Sequence, residues 1–140
     1  MTPEAGHYLH KAHQCLAHAR AIVALPIADV AGKEAYLAGY HAAEAFIFEH
    51  NGKPVRTHKG VRLEFARLSQ NEPKLREFVA FLARAYELKS VADYGVGPDV
   101  EVTLDDATAA IATAERLVGC IAALLGAAAP YPLAGERPGA

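Results

Sequence analysis

Between Asp29 and Gly52 the chain carries two stripes at helical spacing, and this restricts the fold more than any other segment. Tyr36, Tyr40, Ala43 and Ile47 form one stripe, and Leu37, His41, Glu44 and Phe48 form the other. A helix with two packing faces needs neighbours on both sides, so this one is expected at the centre of a helical bundle. Asp29 is its expected N-cap and Asn51-Gly52 its left-handed terminator.

The remaining apolar patterns repeat with the same period and break at capping or breaker residues. A first helix starts with Thr2 as N-cap and Pro3 at its first position, and stops near Leu25-Pro26. Its stripe is Tyr8, Ala12, Cys15, Leu16, Ala19, Ile22 and Val23. Thr57 caps a short third helix with Val61, Phe65 and Leu68 facing inward, and with Lys59 and Arg62 together away from that face. Asn71 and Pro73 start a fourth, whose inward stripe is Leu75, Phe78, Val79, Leu82 and Tyr86, with Lys89 next in line. A loop is expected from about Ala92 to Val102. Thr103, with Asp106 three residues on, opens the last helix, which buries Ala107, Ile111, Ala114, Val118, Ile121 and Leu125. No strand pattern or internal repeat is present. These stripes predict an all-α bundle of about five helices over residues 1–125, followed by a mobile Ala/Gly/Pro-rich tail over 126–140.

With 52% hydrophobic and 21% charged residues, the composition is that of an ordinary soluble domain. There is no basic segment followed by an apolar run at the N-terminus. No segment reads as both long and charge-free enough to span a bilayer, so no membrane association and a cytoplasmic location are expected. Cys15 and Cys120 are the only cysteines; in that compartment two reduced thiols, buried as small hydrophobes, are expected rather than a disulfide.

The net charge of −2 hides an asymmetry. Between Lys53 and Lys89 there are nine Lys or Arg against four Glu, while the rest of the chain holds five basic and twelve acidic residues. Two readings stand: solvated helix faces, or a basic surface suited to a phosphate backbone or an acidic partner.

Several residues could carry chemistry. His58 and Lys59 lie at a helix N-terminus, where free N–H groups attract anions, although capping alone explains Thr57. Lys89 sits on an apolar stripe at the end of the fourth helix. There it either balances the terminal carbonyls or forms an anion or nucleotide pocket with Tyr94. Tyr86 and Tyr94 suit a partly covered surface, because a ring can pack while its hydroxyl stays hydrogen-bonded. His7, His10, His13 and His18 crowd the first helix but spread around its polar side, which fits a solvated face better than a metal site. His41 and Glu44, three apart, read as a buried polar pair. No phosphate-binding Gly-rich loop, zinc-cysteine cluster, nucleophile elbow or dinucleotide fingerprint occurs, so no cofactor or metal is expected.

The order and character of Tyr40-His41-Ala42-Ala43-Glu44, Thr57-His58-Lys59-Gly60 and Ala85-Tyr86-Glu87-Leu88 with Ala92-Asp93-Tyr94 resemble the HEPN family, from about Tyr8 to Leu125. The resemblance implies an antiparallel up-and-down bundle that forms a homodimer, with the Tyr86–Tyr94 region facing the symmetry mate. It also implies a minimal nucleotidyltransferase as a frequent partner in toxin–antitoxin pairs, and contact with nucleotides or RNA. Active toxins of this family are metal-independent ribonucleases with an Arg followed four to six residues later by His. Here the matching place reads Lys89-Ser90-Val91-Ala92-Asp93-Tyr94, with Lys and Tyr in the two positions, while Arg84 faces the other side of its helix. A tyrosine is a poor general base at neutral pH, and lysine lacks the bidentate fork of arginine. A binding and assembly role is therefore expected ahead of the alternative, a divergent ribonuclease toxin using Lys89, Tyr94 and His58.

Overall fold

The computed structural model describes residues 1–94 and 101–126. Five α-helices form: α1 (Pro3–Ile22), α2 (Ala28–Asn51), α3 (His58–Ser69), α4 (Glu77–Tyr94) and α5 (Leu104–Leu124). No strand occurs among the described residues. The expected all-α bundle is thus observed, and α2 is its centre, packed against each of the other helices. Helices α1 and α4 run one way and α2 and α5 the other. Thr2 meets Glu49, Lys33 meets Asp93, and Arg116 of α5 meets Glu77 of α4.

Local chemistry sets most of the helix ends. Thr2 Oγ1 accepts from Ala5 N, and the Thr2 amide and hydroxyl both donate to Glu49 Oε2, at 2.8 and 3.0 Å. Gly52 closes α2 at φ 71°, a conformation that costs glycine nothing. Thr57 Oγ1 accepts from Gly60 N at 2.9 Å and starts α3. Thr103 and Asp106 exchange both hydrogen bonds of a capping box before α5.

Three boundaries differ from expectation. Asp29 does not cap α2; Ile27 occupies the N-cap with no side-chain bond, and Asp29 sits in the first turn, where its charge suits the helix dipole. Asn71 and Pro73 open a single 3-10 turn, Pro73–Leu75, rather than α4, which begins at Glu77. Buried Leu75 anchors that turn, and Arg76 Nη2 donates to the Gln70 carbonyl at 2.6 Å. Helix α4 continues past Ala92 to Tyr94, because no Gly or Pro interrupts it there and Asp93 pairs back to Lys89. The rest of the expected loop, 95–100, and the expected tail beyond Gly126 lie outside the described residues.

The α1–α2 contact is built from small residues. Ala5, Leu9, Ala12, Leu16 and Ala19 of α1 and Ala35, Ala38, Ala42 and Ala45 of α2 are buried in one core cluster. Tyr8, Cys15 and Val23, members of the expected α1 stripe, are only partly buried and pack against that core. Both cysteines are free and half-buried rather than buried, and burial, followed by Glu34, pushes the Cys15 thiol up to about 12. Gly39 lies where α2, α4 and α5 meet; a Cβ there would come within 3.1 Å of Phe81, 3.2 Å of Leu82 and 3.3 Å of Leu117. Contrary to the sequence reading, α5 is by length and composition apolar enough to cross a membrane. In the bundle its apolar stripe, Ala107, Ile111, Ala114, Val118 and Ile121, is buried as core.

Candidate functional site

Tyr36 is 0% exposed, and a buried hydroxyl needs a partner. That partner comes from the first residue of α3: His58 Nδ1 lies 2.8 Å from the Tyr36 hydroxyl. The imidazole also stacks on the next tyrosine along α2, with its centroid 4.3 Å from that of Tyr40 and the planes 24° apart. From α4, Tyr86 meets Tyr36 edge-on at 5.7 Å and His58 at 5.6 Å. His58 is therefore not an exposed residue beside a cap. The Thr57 cap places it, and three tyrosines surround it.

Cations rim this aromatic cluster. Arg62, one turn after His58, lies over the Tyr86 ring with Cζ 4.5 Å from its centroid. It does not lie outward with Lys59, as its spacing suggested; stacking on Tyr86 turns it in, while Lys59 stays exposed. Arg62 Nη1 is buried, and the guanidinium has the Tyr36 hydroxyl as a hydrogen-bond neighbour. Burial raises the Tyr36 pKa, outweighing the hydrogen bond and the charge of Arg62, which favour the phenolate. Burial also raises Tyr40 to about 12, reinforced by Glu44. Burial lowers the pKa of His58, as do the charges of Lys89 and Arg62, so its ring is neutral near pH 7.

Lys89 is half-buried and bonds Asp93 Oδ2 at 2.6 Å. Its partner is thus a carboxylate one turn on, in place of the terminal carbonyls that its position suggested. Lys33, at the start of α2, pairs with the other oxygen of Asp93. Hydrogen bonds from both lysines hold the Asp93 carboxyl below the ordinary range. Tyr94 is 72% exposed, and its ring centroid is 6.0 Å from Lys89 Nζ. On the far side of Tyr40, His41 Nδ1 and Glu44 Oε1 are 2.7 Å apart, a half-buried pair. The geometry thus brings His58, Lys89 and Tyr86 together, leaves Tyr94 at the rim, and separates Lys59 from them.

Tyr36, Tyr40, Arg62, Lys33 and Asp93 belong to this region without having been singled out for it. Spacing held part of the signal: Lys33, Tyr36 and Tyr40 share one α2 face, and Arg62 follows His58 by four residues. Elsewhere, Arg84 lines a shallow groove between α4 and α5 with Asp106 and Thr113, facing away from the cluster as expected. A larger concavity at the α1–α2 turn, bounded by Leu25, Pro26, Val91 and Leu104, is lined without any Lys, Arg or His. On α1, His13 is half-buried with its pKa lowered, first by burial. Among the described residues no three His, Cys, Asp or Glu side chains converge as a metal site would require.

No curated protein matches the chain. The sequence profile described as the HEPN domain matches residues 5–124, nearly the whole of the helical bundle, and the chain belongs to the HEPN domain family.

Proposed function

We propose that this chain is a HEPN-type binding subunit whose α2–α3–α4 cluster holds the phosphate of a nucleotide or RNA. The observation that carries the reading is Arg62, turned onto the aromatic cluster with Nη1 buried and a neutral tyrosine hydroxyl as the hydrogen-bond neighbour of its guanidinium. A phosphate oxygen would offer that buried guanidinium a charge-assisted bond, stronger than one to a neutral hydroxyl. Lys89 would add a point charge, and the His58 ring an N–H from Nε2 when Nδ1 accepts from Tyr36.

The subunit would work as a homodimer joined near Tyr94 and pair with a minimal nucleotidyltransferase in a toxin–antitoxin-type system. Those two parts of the proposal are supported by family membership. A cytoplasmic location belongs to the same reading, since free Cys15 and Cys120 suit a reducing compartment.

The test is titration of a labelled oligoribonucleotide and of AMP by fluorescence anisotropy and calorimetry. Arg62→Ala should weaken binding by roughly tenfold to a hundredfold, and Arg62→Lys should restore only part of it. Equal affinity in all three proteins would remove the proposal.

One observation favours a second reading, ribonuclease activity. His58 and Arg62 supply in one cluster the residue types that the end of α4 lacks. With Nδ1–H donating to Tyr36, the Nε2 of a neutral His58 could take the 2′-hydroxyl proton. Incubation with RNA and a chelator separates the readings. Cleavage lost in His58→Ala and Lys89→Ala would replace binding by catalysis; intact RNA would retire the ribonuclease.

A further inference from the structure

Lys33 lies on α2, sixty residues before Asp93, and Lys89 on α4, yet both ammonium groups meet on the single carboxylate of Asp93. Two positive charges on one negative charge leave the junction of α2 and α4 cationic. The i,i+4 bond to Lys89 supports the last turn, but the position itself does not favour a carboxylate. Asp93 is the second-last residue of α4, at the negative end of the helix dipole, where an acidic side chain is unfavourable. The two lysines are what hold it there. A carboxylate and a phosphate present similar acceptor oxygens to such donors.

We infer that Lys33 and Lys89 form one phosphate site between α2 and α4, and that Asp93 occupies it as a built-in competitor. The inference rests on the phosphate-binding reading and adds its regulation. Lys33 becomes a binding residue, and Asp93 sets the threshold that an incoming phosphate must exceed. The carboxylate lies on the last turn of α4, so a side-chain rotation suffices to release both ammonium groups without disturbing the core. Ligands with a phosphate and no further charge then compete poorly with Asp93, and ligands with more negative charge compete better.

Calorimetric titration of the full chain with AMP, adenosine and inorganic phosphate tests this. Asp93→Asn keeps the shape and removes the charge; it should tighten AMP and inorganic phosphate alike by about tenfold, the scale of two part-exposed ion pairs. Adenosine should gain nothing. Lys33→Gln placed in the Asp93→Asn protein should cancel the gain, and Asp93→Glu, which keeps a carboxylate, should bind AMP nearly as weakly as the wild type. If Asp93→Asn binds AMP no tighter while Arg62→Ala still weakens binding, the competitor is overturned and the phosphate reading stands. A gain shared by adenosine, or one that survives Lys33→Gln, also overturns the inference. If neither the wild type nor Asp93→Asn binds AMP or phosphate, both readings fall.

Discussion

A neutral histidine held among rings makes stability depend on pH in a definite direction. Burial, with Lys89 and Arg62 nearby, keeps the His58 pKa below its ordinary value, and burial does the same for His13. The unfolded chain therefore takes up protons first as pH falls through about 6.5. The contribution of these neutral rings is complete above that value and is lost below it, toward their lowered folded-state pKa values. Carboxylates held low, at Glu49, Asp93 and Asp106, contribute stability that is lost only in more acidic solution, below about pH 4. The melting temperature should accordingly fall between pH 7.5 and 5.5, and His58→Gln should make that fall shallower, His13 supplying the remainder. Identical slopes for wild type and His58→Gln, measured by differential scanning calorimetry, would show that His58 is not held neutral by its surroundings. The residue that sequence reading placed worst in this cluster was Arg62. Its i,i+3 relation to Lys59 is a local fact, whereas the Tyr86 ring that draws it inward lies on another helix.

At the scale of elements, what could be read from sequence was whatever depends on neighbours along the chain. Thr2, Thr57 and the Thr103–Asp106 box cap their helices because each bond spans three residues. Gly52 ends α2 for an equally local reason. What failed depended on distant partners. The α4 terminus is set partly by the pairing of Asp93 with Lys33 of α2. Gly39 belongs to this second class. Its missing Cβ admits Phe81, Leu82 and Leu117 from two helices. Gly39→Ala should gain some helix propensity but lose more to overpacking, for a net cost of roughly 1–2 kcal/mol and a fall in melting temperature of about 3–8 °C. An unchanged or raised melting temperature would mean that α4 and α5 can give way at this junction without loss.

The whole molecule presents Tyr94 at its rim and keeps Tyr86 engaged within its own chain. A two-fold interface near the end of α4 would therefore rest on Tyr94, and Tyr86→Asp would disturb the aromatic cluster as well as any contact between copies. Sedimentation equilibrium at micromolar concentration should return twice the chain mass of 14.9 kDa, and Tyr94→Asp should shift it toward the monomer. A wild-type monomer would remove the homodimer from the proposal. The same arrangement of rings has an optical consequence. The chain contains no Trp, so no indole drains or masks tyrosine emission. Tyr36, Tyr40 and Tyr86 are gathered around His58, with Arg62 against one of them. Ultraviolet emission and near-ultraviolet dichroism of the unlabelled protein thus come substantially from the candidate site itself, and an anion that moves Arg62 off its ring would announce its own arrival.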